Sequence, residues 1–200
     1  YEIVVSDWSS DVCSSDLIQK ITKDPIYIKV NADALTLEGI SQFYVAVFDD
    51  NEKYQKIKHI YSNASISQSI IYCNSVPRVV NLYQQLYKDG FPVCCLHSDM
   101  EKHVRDNTFN EFKNGRYRIM VSTNLTARGI DVQQVSLVIN YDVPKDLHTY
   151  LHRIGRSGRW GRKGSAINFV TERNRDKMRE IETYYKSDIL ALPENISFLK

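Results

Sequence analysis

The residues best suited to chemistry lie between His148 and Gly164, where Arg153, Arg156, Arg159, Arg162 and Lys163 occur with no acid from Tyr150 onward, a local +5. The whole chain carries 26 Lys and Arg against 24 Asp and Glu, a formal +2, so the remainder sums to −3 and the basic charge is a local feature. Five of the eight glycines (Gly129, Gly155, Gly158, Gly161 and Gly164) fall in the span 129–164. Backbone freedom and cationic side chains concentrated together are what an anion site requires. Leu147, Tyr150, Leu151 and Ile154 form an apolar helical stripe behind Pro144 and Asp146, which sets His152 and Arg156 on the opposite, outward face. Arg159 follows in the glycine-rich exit, free to aim at the same point. Two converging guanidinium groups need an anion between them, and a transferring phosphoryl group would supply the charge they stabilise.

Upstream, Ser122-Thr123-Asn124-Leu125-Thr126-Ala127-Arg128-Gly129-Ile130-Asp131 offers hydroxyls, free amides, a cation and one carboxylate. Read functionally, the amides and hydroxyls meet phosphate and Asp131 accepts from a ribose hydroxyl. Standing alone, the loop reads first as a capped turn with an exposed arginine. The Gly-Arg triplets also have other readings: a disordered RNA-binding tract, a nuclear localisation patch, or a solvated basic face. His148 and His152 at i, i+4 could hold a metal, but no Glu follows the first and no third ligand is evident, so no metal site is expected. The nearest approach to a P-loop ends Lys163-Gly164-Ser165, with Lys and Gly transposed and a strand following it. The chain therefore carries phosphate-sensing arginines without a triphosphate cradle.

The elements that must position these residues are legible in the apolar pattern. With 42% apolar and 25% charged residues over 200 positions, the chain has the proportions of a soluble globular domain. Candidate strands are 43–48, 69–73, 93–97, 118–122, 137–140 and 166–170, and candidate helices 51–61, 77–89, 101–114, 146–155 and 173–186. Short apolar strands alternating with helices predict an α/β fold with a parallel sheet covered on both faces, whose ligands sit at the carboxyl ends of the strands. The loops after Cys73, His97, Ser122 and Asn140 are the ones to inspect. Ser75 is expected to cap the helix begun by Pro77, with Val80, Tyr83 and Leu86 facing the core. Val104, Thr108, Phe109 and Phe112 are expected to anchor the next helix.

Residues 1–16, Ser/Asp-rich and without period, read as a flexible tail or linker remnant, and residues 1–23 are set apart from a domain spanning 24–200. Cys13, Cys73, Cys94 and Cys95 have no zinc or redox spacing, and adjacent Cys94 and Cys95 would face opposite ways on a strand. A reduced, intracellular setting is expected. No apolar run approaches the ~20 residues needed to cross a bilayer, and the start lacks a secretory pattern, so no membrane partner is expected.

Taken together, ALTLEGISQFYV, STNLTARGID, VSLVINYDVP and YLHRIGRSGRWGRKGSAINFV resemble the second RecA-like domain of DEAD-box RNA helicases, most closely the translation initiation factor 4A group. The resemblance covers about residues 24–200. It implies a single RecA-like domain, the C-terminal half of an ATP-dependent RNA helicase, with ATP and Mg²⁺ held in a cleft against an N-terminal RecA-like domain. No nucleotide is expected to bind stably to this half alone. Residue by residue, it implies Arg156 and Arg159 as arginine fingers and Asp131, with Gly129, at the nucleotide. It makes His152 and Arg153 couplers to the partner domain, and Asn74, Arg105, Thr123 and the backbone at Gly129 RNA contacts. A HEAT-repeat scaffold protein is a further implied partner, and the setting would be cytoplasmic or nuclear. Departures fall on the RNA side: Val76-Pro77 in place of basic residues, Ser98 for Gly, Lys102 for Gln and Asn124 for Asp. The last two each make the surface one charge more positive. The alternatives are a non-catalytic RNA-binding or scaffold-binding module and a DNA helicase using the same half.

Overall fold

The structure is a computed structural model that describes residues 39–124, 134–157 and 163–199. The tail expected over 1–23, its boundary with 24, Cys13, Gly129, Asp131 and Arg159 lie outside the described residues. Strands β1 (Ile40–Ala46), β2 (Gln68–Tyr72), β3 (Val93–Leu96), β4 (Ile119–Ser122), β5 (Val135–Asn140), β6 (Gly164–Val170) and β7 (Leu190–Ala191) form one sheet in the order β3-β4-β2-β5-β6-β1-β7. Every pairing in it is parallel. Helices α1 (Asp50–Asn63), α2 (Val76–Lys88), α3 (Lys102–Lys113), α4 (Leu147–Ile154) and α5 (Arg175–Tyr185) supply the crossovers among these residues, with a short 3₁₀ turn over Glu172–Asn174. This is the α/β parallel sheet that the alternation predicts and the RecA-like domain that the resemblance implies.

Helices cover both faces. Ile71, Val121 and Ile139 point to one side and pack with Ile57 and Ile60 of α1 and Val79, Leu82 and Leu86 of α2. Ile70, Tyr72, Met120 and Val138 point to the other and meet Phe112 of α3. Tyr150 and Ile154 of α4 form a further cluster with Met178 and Ile181 of α5. Cys94 belongs to the second cluster while Cys95 packs against the first, as adjacent strand residues must. Burial pushes the Cys73 and Cys94 thiols above their ordinary range, which suits packing rather than reactivity. No helix among the described residues is long and apolar enough to cross a membrane.

Several local expectations need correction. The fully buried residues of α2 are Val79, Leu82 and the expected Leu86; the expected Tyr83 packs against the core while only partly buried, and Val79 rather than Val80 is the buried valine. Adjacent Val79 and Val80 allow either rotation, and the one adopted leaves Tyr83 at the margin of the core, its ring 5.9 Å from that of Tyr87. Ser75 is the N-cap of α2 but makes no side-chain cap bond. The second helical residue, whose N–H it would ordinarily accept, is Pro77, which has none. On α3 only Phe112 is buried, and Val104 is exposed. Strand β7 escaped the sequence pattern because two exposed residues carry no period.

The registers bring the strand ends level. Tyr72 lies opposite Ser122 on one side and Asn140 on the other, and Leu96 lies opposite Ser122. The segments beginning at His97, Thr123, Cys73 and Tyr141 therefore emerge side by side at the carboxyl edge, about 4.8 Å apart.

Candidate functional site

Arg153 organises this edge. It lies three residues after Tyr150, on the apolar side of α4, and is fully buried. Its Nε donates to Asn124 Oδ1 at 2.8 Å, and Nη2 donates to the same oxygen at 2.5 Å and to Asn74 Oδ1 at 2.7 Å. Nη1 donates to Asn140 Oδ1 at 3.1 Å and to the main-chain oxygen of Asp142 at 2.8 Å. All five guanidinium N–H groups are thus used, and they join α4 to the segments following β2, β4 and β5. The Tyr72 ring lies beneath, 5.2 Å from the guanidinium carbon. Burial draws the Arg153 pKa down to about 10, so the group remains a cation at neutral pH. From Asn140 a polar chain continues across the sheet. Asn140 Nδ2 donates to Asn168 Oδ1 at 2.8 Å, Asn168 Nδ2 donates to the Tyr150 hydroxyl at 3.3 Å, and that hydroxyl donates to Gln42 Oε1 at 2.7 Å.

A second, ionic cluster adjoins it through Asp142. Arg78 donates to both Asp142 oxygens at 2.7 Å and to the two Asp50 oxygens at 2.7 and 2.8 Å. Buried Lys53 lies 3.2 Å from Asp142 and 3.3 Å from Asp50, with its ammonium 4.7 Å from the Tyr141 ring centroid. The Arg78 hydrogen bonds hold the Asp50 carboxyl down to about 2. Burial pushes Asp142 up, but Arg78, the Asn74 N–H and Lys53 outweigh it and the net shift is downward. The Asn74 N–H donates to Asp142 Oδ2 at 3.0 Å, which ties the two clusters together.

Of the expected RNA contacts, Asn74 and Thr123 come together at this edge. The Asn74 side chain is committed inside the chain, accepting from Arg153 and donating from Nδ2 to the Val143 carbonyl at 2.8 Å. Thr123 is half-buried and its N–H donates to the Leu96 carbonyl at 3.4 Å. Arg105 stands half-buried in the first turn of α3, beyond the end of β3.

The coupling candidates His152 and Arg153 sit on α4, and Arg156, the one nucleotide candidate among the described residues, lies just beyond its end. Its start is fixed by Asp146, whose carboxylate accepts from the Thr149 N–H and hydroxyl at 2.7 Å each. His152 and Arg156 are both half-buried, and Arg156 Nε donates to the His152 carbonyl at 3.1 Å. Arg156 follows the helix terminus at Gly155, where a Cβ would come 3.0 Å from the Leu151 carbonyl. A glycine there lets the chain turn tightly and presents Arg156 beside the helix carbonyl end, where positive charge is favoured. Arg153 points inward between them, so the three residues divide into one internal anchor and two groups toward the surface.

Sequence reasoning missed Asn124 as the double acceptor of Arg153, and missed Lys53, Arg78, Asp50 and Asp142 altogether. A signal for Arg153 was present: at i+3 from Tyr150 and next to Ile154, it falls on the apolar stripe, where a cation must find internal partners. The Arg78–Asp142 pair, 64 residues apart, has no local signal.

Comparison with known proteins gives the same fold and motifs. Residues 52–161 match the helicase conserved C-terminal domain family. The chain is 48% identical over 184 residues to the ATP-dependent RNA helicase eIF4A of Kluyveromyces lactis, covering 92% of this chain and 46% of that protein. Among solved structures it resembles S. cerevisiae Dbp5 bound to RNA and ADP BeF3, with a TM-score of 0.80 and 31% identity over 92% of this chain and 49% of the other. The separately solved C-terminal domain of the DEAD-box protein Dbp5 matches with a TM-score of 0.72 and 35% identity, covering 78% of this chain and 91% of that one. The chain spans about half the length of the curated relatives it matches.

Proposed function

The chain belongs to the DEAD-box RNA helicases as their C-terminal RecA-like domain, and from that premise we propose that it holds RNA by its backbone and completes an ATP site formed with an N-terminal RecA-like domain. The observation that carries this is the common anchoring of the two groups of candidate residues. Arg153 fixes α4, which presents His152 and Arg156, to the strand ends that present Asn74 and Thr123.

In this reading Arg156 and Arg159 stabilise charge on the transferring phosphoryl group, Asp131 accepts from the ribose, and Gly129 lets the backbone approach nucleotide and RNA. Arg105, Thr123 and the Asn74 segment face RNA phosphates, and His152 and Arg153 transmit closure of the partner domain. ATP with Mg²⁺ supplies the phosphoryl group. Among the described residues no group of three or more His, Cys, Asp or Glu gathers to hold a metal, and the reading assigns Mg²⁺ to the partner domain. This domain alone is then expected to turn over no ATP. S. cerevisiae Dbp5 has been solved bound to RNA and ADP BeF3, which supports both ligands, and another structure of Dbp5 is bound to Nup159 and Gle1, which supports a protein partner; a HEAT-repeat scaffold is the partner this reading proposes from the family resemblance. A cytoplasmic or nuclear setting and a role in translation initiation accord with the eIF4A relatives.

One observation favours the second reading, a non-catalytic RNA- or scaffold-binding module: the Asn74 side chain is already engaged by Arg153 and Val143. Titration of the chain with matched single strands of RNA and DNA tests the RNA reading. Weak, salt-sensitive binding that prefers RNA and ignores base sequence is expected from donors suited to phosphate and 2′-hydroxyl groups. Equal affinity for both strands would favour a DNA helicase, and no binding would favour a scaffold-binding module.

A further inference from the structure

Every direct partner of the buried Arg153 guanidinium is neutral: three side-chain amides and one main-chain carbonyl. Two acids, Asp142 and Asp146, act on Arg153 through space, but neither carboxylate bonds to it: that of Asp142 faces Lys53, Arg78 and the Asn74 N–H, and that of Asp146 caps α4 through Thr149. Amide dipoles satisfy the hydrogen bonds of such a cation without cancelling its charge, and a buried charge lacking a counter-ion is costly to a fold.

Asn124 takes two of the five hydrogen bonds, and it is exposed while Arg153 is not. A carboxylate in its place would meet the same two donors with a full negative charge and keep water on its outer side, so its own desolvation would be small. For the free chain, the amide is the less stabilising choice. What the amide leaves is a buried positive charge, offset only through space by Asp142 and Asp146, bonded to the residue that follows Thr123 at the edge where the strand ends open.

We propose that Asn124 sets the charge of this edge: its neutral amide leaves Arg153 without a directly bonded carboxylate so that RNA phosphodiesters are attracted there, at the expense of the free domain's stability. Asn124 acts through Arg153 and is therefore a positioning residue, not a catalytic one. The proposal rests on the RNA-binding reading for its ligand but not for its effect on the free chain, so stability and binding should move in opposite directions when the charge is restored.

The experiment compares wild type, Asn124→Asp and Asn124→Ala in the full 200-residue chain. Thermal unfolding is followed without ligand, and labelled single-stranded oligouridylate is titrated at two salt concentrations. Asn124→Asp is expected to raise the unfolding midpoint by about 2–4 °C through a charge-assisted bidentate pair, and to weaken RNA binding about three- to tenfold, with the difference shrinking at high salt. Asn124→Ala, which removes the acceptor but adds no charge, is expected to lower the midpoint and keep RNA affinity within about twofold of wild type. An unchanged or lowered midpoint in Asn124→Asp, or RNA binding as tight as wild type, overturns the proposal. Wild type that fails to bind RNA overturns the RNA-binding reading and this proposal together. Normal wild-type binding with an unmoved Asn124→Asp overturns the charge-setting role alone.

Discussion

Arg78 and Arg153 flank the same aspartate and are held by opposite means. Arg78, with 34% of its side chain exposed, grips the carboxylates of Asp50 and Asp142 with paired bonds, and its pKa rises above the ordinary range, chiefly through Asp50. Arg153, fully buried, receives only dipoles, and its pKa falls under desolvation. The first interaction is mainly one of charge. The second is mainly one of geometry, because five bonds in a fixed fork define where three strand-end segments stand relative to α4. A cation used in this way orders its surroundings without being neutralised by them, which suits a place where an anion is to bind.

Substitutions should separate the two modes. Arg153→Met is expected to have the largest effect on stability, about 3 kcal/mol in urea unfolding, because buried Asn140 and the Asp142 carbonyl lose their donor and the segments carrying Asn74 and Asn124 lose their common anchor. A cost below about 1 kcal/mol would mean that the segments hold their positions without it. Asp142→Asn keeps the carbonyl that Arg153 uses but removes the negative charge beside Lys53 and Arg78, and should cost about 2 kcal/mol. If it instead matched Arg153→Met and displaced the α4 segment, as read by amide exchange, the division between charge and geometry would fail.

Acid titration should have the smallest effect, and Asp50 supplies the part that belongs to the ionic cluster. Asp50 has a folded pKa of about 2, below its unfolded value of about 3.9, so its contribution is present at neutral pH and lost as pH falls from about 4 to about 2. Because Asp50 is more than half exposed, solvent screening limits this to about 1 kcal/mol or less. Urea midpoints at pH 5 and pH 3 should fall further apart in wild type than in Asp50→Asn, and identical pH dependence in both would remove Asp50 from the cluster.

The contrast also marks what could be read in the chain beforehand. Strand cores such as Ile119–Ser122 and the capped start of α4 at Asp146 were legible because apolar runs and capping residues act locally. Leu86 and Tyr83 of α2 meet the core as expected, but the buried valine was misread because Val79 and Val80 are chemically equivalent and only the sheet chooses between them. Helical spacing set His152 and Arg156 apart from the apolar stripe, and in the structure both are half-buried, Arg156 beyond the last residue of α4. Arg153 was singled out by resemblance, but its burial follows from tertiary packing that brings Asn74, Asn124 and Asn140 together from three strands. Asn74 shows the converse: a residue type suited to RNA that the fold has already engaged.

The account is tested most directly by joining the chain to an N-terminal RecA-like domain of its family and measuring RNA-stimulated ATP hydrolysis with Arg156 present and with Arg156→Ala. An arginine that stabilises the transferring phosphoryl group contributes roughly 10³-fold or more, so a loss of that size with RNA affinity nearly unchanged is expected. Hydrolysis within a few fold of the unsubstituted protein would contradict the assignment of this edge to the ATP site.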